Sequence, residues 1–181
     1  MIGTIFQHLE GFGTEALGED VWEDLIARTD LTQPDAVYSR LGIYPDSDLF
    51  ALVGAAVEES GIQVNELVEA FGVYLVKRFS EDYERFFEEA GGLFDFMDSV
   101  DRHIHVQVRK LHPHALTPSV KLIRKSADEA TLLYQSSRKL CALARGMMRG
   151  AADYYGSELT LQELQCMHDG ADACQFQLTL T

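Results

Sequence analysis

Hydrophobic positions recur with helical spacing through the first two thirds of the chain. This spacing predicts a helix over residues 5–17 and a second that begins with acidic side chains near Asp20, which suit a helix N-terminus. Two further helices are expected after capping residues at 47–48 and at Asn65. One more is expected from about residue 92 to residue 111. The amino-terminal part is therefore predicted to be helical.

The period changes from helical to strand-like near residue 120. Apolar residues at 120–123 and 131–134 predict two strands joined by a turn at 126–128. A helix is expected over 138–155, and alternating residues predict half-buried strands at 159–164 and 174–180. The predicted fold class is α+β, with a helical amino-terminal part and a small antiparallel sheet crossed by a helix.

Composition and charge narrow the class of protein further. A chain of 181 residues with 46% hydrophobic content is the size of one globular domain. A formal net charge of -14 argues against nucleic acid and anionic membrane surfaces as partners. Because no leader-like segment or bilayer-length apolar run is present, we expect a cytoplasmic protein.

The most informative motif is Tyr134-x-Ser136-x-Arg138. Two hydroxyl groups and a guanidinium fork suit a ligand that carries a pair of carboxylates, since Arg binds a carboxylate through two hydrogen bonds. The alternative is that these polar residues simply line the solvent-exposed face of a strand that runs into a helix. A three-residue motif of this kind recurs by chance. The motif alone does not choose between them.

Two histidines on the predicted helix over 92–111 are candidate metal ligands. A neutral imidazole is a good iron ligand, and a single histidine leaves the opposite coordination position open for a gas. A lone histidine on a helix is nevertheless more often structural. Helical periodicity does not separate His103 from His105, and it slightly favours burial of His103, which follows Phe96 and Val100.

Several segments resemble one known family. Residues 1–10 are similar to the opening of the H-NOX domains, the haem-based nitric oxide and oxygen sensors, and Val21-Trp22 resembles the second helix of that family. Residues 100–113 resemble the family's proximal helix, Leu116-Thr117-Pro118 its loop with a haem-distorting proline, and Tyr134-x-Ser136-x-Arg138 its propionate clamp. The similarity extends over essentially the whole chain, as a single domain over 1–181.

The resemblance implies a site built around haem b. It places the axial iron ligand at His105 rather than His103, with the haem between the helical part and the sheet. The propionates would be held by Tyr134, Ser136 and Arg138. Other positions expected to touch the haem or line its pocket are Ile5, Leu75, Pro118 and Leu143.

The resemblance also bears on which gas is bound. Family members that bind O₂ carry a distal tyrosine after the clamp, where this chain has Leu143, and Leu75 replaces a supporting polar residue. Bound O₂ needs a hydrogen-bond donor, whereas NO binds ferrous haem without one. We therefore expect NO and CO to bind and O₂ not to bind stably. The alternative is an O₂-binding domain in which Tyr74 supplies the donor.

The implied mechanism is sensing rather than catalysis. NO weakens the bond trans to itself, so binding is expected to break the link from iron to His105 and let its helix move. No acid–base dyad or activated nucleophile is evident, so an enzyme is not expected. Since the sequence ends just after Leu180, the resemblance implies a separate effector, a sensor histidine kinase or a cyclic-di-GMP enzyme.

A second metal site is predicted near the end of the chain. Cys141, Cys166, His168 and Cys174 form a Cys₃His set of the kind that holds structural zinc. The arrangement resembles the zinc site of one bacterial H-NOX subgroup, in which thiol oxidation is a second input. Without that resemblance, three buried reduced cysteines would explain the pattern as well.

One rival comes from another class of protein. The segment Cys166–Phe176 also resembles the zinc-bearing ligand domains of vinyl-reductase type found in bacterial regulators. A small-molecule-binding adapter of that kind would need zinc but neither His105 nor the clamp. Haem binding separates the two hypotheses.

Overall fold

The computed structural model describes all 181 residues, and its amino-terminal half is helical as predicted. The helices are α1 (Gly3–Leu17), α2 (Glu19–Arg28), α3 (Asp46–Ser60), α4 (Val64–Asp82) and the short α5 (Glu84–Glu88). Acidic residues occupy the first turn of α2, where the helix dipole favours them. None of these helices, nor any later one, is long and apolar enough to cross a membrane.

The helix starts differ in detail from the expected capping positions. α3 begins at Asp46, so Asp48 lies inside the first turn rather than before it. Its buried carboxylate instead accepts hydrogen bonds from Thr32, Gln33 and Tyr38, which ties the preceding loop to the helix. α4 likewise begins one residue before Asn65. Tertiary contacts therefore use these polar side chains in place of local capping.

The predicted helix over 92–111 contains an irregular turn. It consists of α6 (Leu93–Ser99), a π-helical turn (Val100–Ile104) and α7 (His105–Leu111). The backbone N–H of His105 donates to the carbonyl of Val100, five residues back. A π turn inserts one extra residue into a helix and often lies at a functional site. It rotates every later side chain relative to a regular helix.

The carboxy-terminal half is an antiparallel sheet with one long helix. The strands are β1 (Ser119–Arg124), β2 (Glu129–Gln135), β3 (Leu159–Gln165) and β4 (Cys174–Leu180), in the order β1-β2-β4-β3. α8 (Cys141–Tyr154) starts three residues later than predicted, because 136–139 form a turn with Lys139 at φ +50°. The α+β prediction is confirmed.

Two apolar clusters form the core, and helices α4 and α8 join them. One cluster lies on the sheet around Met148, Phe176 and Leu178, and the other lies among the amino-terminal helices. The backbones of α4 and α8 meet at Gly72 and Gly146. A Cβ added at Gly146 would lie 1.9 Å from the carbonyl oxygen of Glu69. Only glycine permits this approach.

A change of glycine to alanine should destabilise the protein at Gly146, where the helices touch, and stabilise it at Gly54, where the space is open. Gly146→Ala forces a methyl group against backbone atoms, so we expect a loss of about 1–3 kcal/mol in the free energy of unfolding. Gly54→Ala is the matched control, because it lies within α3 with no atom within 4 Å of the added Cβ. It should stabilise by about 0.4–1 kcal/mol. Urea denaturation of both variants tests this, and equal effects would contradict it.

Candidate functional site

The structure distinguishes the two candidate histidines by their surroundings. His105 begins α7 with its side chain only 14% exposed, whereas His103 lies in the π turn and is exposed. Burial lowers the pKa of His105, although the Asp101 carboxylate and the Pro118 carbonyl oppose this shift. The imidazole is therefore neutral near pH 7 and keeps a lone pair for a metal. The periodicity that slightly favoured burial of His103 failed because the π turn changes the helical phase.

Asp101 is a site residue that sequence reasoning missed. Its Oδ1 lies 3.3 Å from Nδ1 of His105 and 3.6 Å from the guanidinium of Arg109. A carboxylate on one ring nitrogen fixes the orientation of a histidine and leaves the other nitrogen, Nε2, as the candidate ligand atom. The signal was an acidic residue four positions before His105, which is common on any helix.

The three clamp residues lie at the end of β2 and in the turn after it. Tyr134 points into the core and is 5% exposed, and burial raises the pKa of its hydroxyl. Ser136 Oγ accepts a hydrogen bond from the backbone N–H of Arg138 at 3.2 Å. The Arg138 side chain is 9% exposed. A buried guanidinium at a turn is suited to holding a carboxylate.

Arg138 already has two partners within the protein. Its Nε donates to Asp46 Oδ2 at 2.6 Å, and its Nη1 donates to the carbonyl oxygen of Leu116 at 2.5 Å. Asp46 also accepts a hydrogen bond from the Met1 amino group at 2.7 Å. Burial alone would raise the pKa of Asp46, but its bonds to these two cations lower it. Asp46 was not anticipated, since nothing local in the sequence connects it with Arg138.

The segment Leu116–Pro118 lies between α7, which begins with His105, and the turn that carries Arg138. Its first residue binds Arg138, and the carbonyl of its last residue faces His105. Its middle residue, Thr117, accepts a hydrogen bond from Arg109 of α7 at 2.7 Å. The histidine and the clamp, separated by about thirty residues of sequence, therefore contact one short segment.

Three of the four predicted pocket residues lie in or against the apolar cluster of the helical half, and Pro118 does not. Leu75 on α4 is fully buried, and Ile5 and Leu143 pack against the same cluster. Leu9, one helical turn after Ile5, belongs to it as well and was not anticipated. Tyr74 faces α1: its ring lies 5.4 Å from that of Phe12 and 4.9 Å from the Arg78 guanidinium. The aliphatic side chains offer no hydrogen-bond donor.

The three cysteines come together in space, but His168 does not join them. The sulfur of Cys141 lies 2.8 Å from that of Cys174, and Cys166 Sγ lies 3.9 Å from each. Glu163 completes a group of four ligand atoms that all lie within 4.8 Å of one another. His168 lies apart from this group, and its Nε2 lies 2.8 Å from the carbonyl oxygen of Lys139.

This group has the donor chemistry that zinc requires. Glu163 Oε2 accepts a hydrogen bond from Arg145 at 2.7 Å, while its Oε1 is buried without a partner. Sulfurs around a tetrahedral zinc lie about 3.8 Å apart for Zn–S bonds of about 2.3 Å. The distances from the Cys166 sulfur to the other two sulfurs fit this value. The sulfurs of Cys141 and Cys174 would need to move apart by about 1 Å. Burial raises the pKa of both Cys141 and Cys166, so metal binding would release protons.

Comparison with known proteins assigns the fold and the family. The family model described as haem-NO-binding matches residues 2–163. A crystal structure of an H-NOX protein from S. oneidensis in the Fe(II)NO ligation state superposes with a TM-score of 0.92. The two chains are 26% identical, with 100% of this chain and 99% of the other covered. An unliganded Fe(II) H-NOX protein from K. algicida shares the fold at 22% identity, with a TM-score of 0.87 and coverage of 100% and 97%.

A curated relative is a much longer protein. Soluble guanylate cyclase 89Db of Drosophila melanogaster is 27% identical over 185 residues, which cover 99% of this chain but 27% of the relative. The chain thus spans about a quarter of that protein's length.

The chain belongs to the haem-NO-binding, or H-NOX, family. H-NOX domains bind haem, take gases such as NO and regulate partner signalling enzymes. They are sensor domains rather than catalytic enzymes, which confirms that prediction.

The pairing of Asp46 with Arg138 predicts a measurable stabilisation of the protein. Asp46→Asn leaves a mostly buried guanidinium without its charged partner, so we expect a loss of about 1–3 kcal/mol in the free energy of unfolding. Because folding lowers the pKa of Asp46, the difference from wild type should be full near neutral pH and shrink as pH falls through that pKa.

The control for this substitution is an exposed ion pair. Glu59→Gln removes the partner of Arg28 and should cost less than about 1 kcal/mol. Guanidinium denaturation at several pH values compares the two variants. A cost for Asp46→Asn no greater than that for Glu59→Gln, or a difference that grows with acid, would contradict the assignment.

Proposed function

We propose that this protein binds haem b with His105 as the axial iron ligand and senses NO. The observation that carries the proposal is the segment Leu116–Pro118, which is hydrogen-bonded both to α7, the helix that begins with the buried His105, and to the clamp residue Arg138. An iron ligand and a carboxylate clamp on one segment suit a single ligand that carries both a metal and carboxylates. We propose that residues 1–181 form a single haem-binding sensor domain.

The protein's own residues would divide the work of holding and orienting the haem. When bound, haem would supply a ferrous iron able to take a gas such as NO, and His105 would hold that iron. Asp101 orients His105 through Nδ1. Tyr134, Ser136 and Arg138 would donate hydrogen bonds to the propionates, and Ile5 and Pro118 would contact the macrocycle.

The apolar cluster supports a preference for NO and CO over O₂. Leu75 and Leu143 offer no donor for the partial charge on bound O₂, and Tyr74 lies against α1 and Arg78. An O₂-binding domain remains the alternative if Tyr74 turns towards the haem. The direction of the Tyr74 side chain favours the NO sensor.

The proximal helix provides a route by which the signal could reach a partner. α7 buries no residue completely, and its main contacts are with the π turn that precedes it. Beyond that turn, Arg109 links it to Thr117. Release of His105 from iron would therefore leave α7 weakly held, and its movement would alter the surface offered to a separate enzyme. We propose a sensor histidine kinase or a cyclic-di-GMP enzyme as that partner.

The test of this function is the absorption spectrum of haem-loaded ferrous protein without oxygen, then with NO, and in a separate sample with air. We expect a five-coordinate ferrous spectrum that NO changes and air does not convert to a stable O₂ complex. His105→Gly should lose haem or need added imidazole to keep it, because no other ligand replaces the ring. His103→Gly is the matched control and should behave as wild type.

Three outcomes would contradict parts of the proposal. Equal effects of the two histidine substitutions would remove His105 as the ligand. A stable O₂ complex that Tyr74→Phe abolishes would establish the O₂-binding alternative. No haem binding at all would leave the zinc-containing adapter of vinyl-reductase type.

The thiol cluster supports a second proposed role, as a zinc site that also responds to oxidation. Cys141, Cys166 and Cys174 would supply three thiolates and Glu163 the fourth ligand, in place of the expected His168. The unpartnered, buried Oε1 of Glu163 beside three sulfurs is the observation that favours it. A peroxide would take two electrons from two neighbouring thiolates and be reduced to water, which forms the disulfide, releases the metal and leaves one thiol over.

Zinc content separates the two candidates for the fourth ligand. Glu163→Gln replaces a charged oxygen ligand by a neutral amide, so we expect zinc affinity to fall by at least about tenfold. His168→Gln should leave zinc affinity unchanged, and Cys166→Ser serves as the positive control. Competition with a chromogenic chelator measures all three. Loss of zinc from His168→Gln but not from Glu163→Gln would restore the Cys₃His set.

A further inference from the structure

The clamp turn and the cysteine loop meet at one residue, Lys139. This residue follows Arg138 directly and is separated from the start of α8 by Leu140 alone. Its side-chain Nζ donates to the carbonyl oxygen of Met167 at 3.2 Å, and its own carbonyl oxygen lies 2.8 Å from Nε2 of His168. The 3₁₀ turn Met167–Asp169 therefore binds both the side chain and the backbone of Lys139.

The backbone of Lys139 needs such support. Its φ of +50° lies in the left-handed region, which is unfavourable for a non-glycine residue. The backbone N–H of Lys139 donates to the Ser136 carbonyl at 3.1 Å, so this conformation closes the turn over 136–139. The direction of Arg138 depends on that closure, because Arg138 is the last residue before Lys139.

Arg138 has little freedom to adjust if the turn changes. Its Nε and Nη1 point at fixed acceptors on Asp46 and Leu116, and its side chain is almost buried. A rotation of the peptide after Arg138 would disturb this geometry. His168 holds the oxygen of the next peptide and so restrains that rotation.

We propose that His168 is a positioning residue of the propionate clamp, which it supports by donating a hydrogen bond from Nε2 to the Lys139 carbonyl. This inference rests on the proposed function, in which Arg138 binds a haem propionate. It gives His168 a role distinct from the zinc ligand that the sequence suggested. The same hydrogen bond, from His168 to Lys139, connects the loop between Cys166 and Cys174 to the residue that follows the clamp.

The test is the rate of haem transfer from the ferric protein to excess apomyoglobin. His168→Ala should lose haem about two- to tenfold faster than wild type, the effect of one exposed hydrogen bond. His168→Gln should restore a rate near that of wild type, because its amide nitrogen can donate from a similar position. His114→Ala is the matched control, an exposed histidine on the loop after α7.

Two further measurements separate positioning from a general loss of stability. The haem propionate bending frequencies in the resonance Raman spectrum should shift in His168→Ala and return in His168→Gln. In an Arg138→Ala background, His168→Ala should have no additional effect on haem loss, since residues that act through one another are not additive.

The outcomes distinguish this inference from the function on which it rests. If the wild type binds no haem, the proposed function fails. If the wild type binds haem and His168→Ala loses it no faster than His114→Ala, His168 does not position the clamp. Additive effects of His168→Ala and Arg138→Ala, or a parallel loss of zinc from both His168 variants, would also overturn the inference.

Discussion

The backbones of α4 and α8 touch at Gly72 and Gly146, and this contact joins the helical half of the protein to the sheet. A Cβ at these positions would lie 2.5 Å and 1.9 Å from opposing carbonyl oxygens, so the helices can meet only where side chains are missing. Leu75 on α4 and Leu143 on α8 owe their shared environment to this approach. Cys141, at the start of α8, connects this helix to the thiol cluster, since its sulfur lies 2.8 Å from that of Cys174 on β4.

A network of charges at the same helix pair extends this connection to the sheet. Arg145 of α8 binds Glu69 of α4 at 3.0 Å and Glu163 of β3 at 2.7 Å, and Arg149 also binds Glu69. Burial would raise the pKa of Glu69, but the two guanidinium groups lower it. The irregular register of β3 after Glu163 occurs beside the thiol cluster, where bulges commonly redirect side chains. The proposed gas pocket and the thiol cluster are thus connected through the same two helices.

The proximal side depends on a different constraint, the π turn. One extra residue before His105 changes the helical phase, so that His105 is largely buried and His103 faces solvent. The segment Leu116–Pro118 then links this histidine to Arg138. A domain built in this way can respond to a change at the histidine through a helix that has few other contacts.

Much of this organisation follows from local pattern in the sequence. Apolar periodicity predicted the long helices and the strands, because amphipathic spacing depends only on which residues lie near one another along the chain. Resemblance to a known family supplied the order of the histidine, the proline and the clamp motif. Helix starts at Asp46 and Val64 were missed, since Asp48 is used by tertiary hydrogen bonds rather than as a cap.

The amino-acid sequence by itself determined the α+β class, and it predicted the clamp residues and the three cysteines that the structure brings together. Only the tertiary structure decided which histidine is buried, that Asp46 and Asp101 support the site, and that Glu163 rather than His168 lies with the cysteines. The physical reason is the same in each case. Periodicity describes neighbours along one helix or strand, whereas a π turn, a bulge or an ion pair across 92 residues arises from contacts between distant segments.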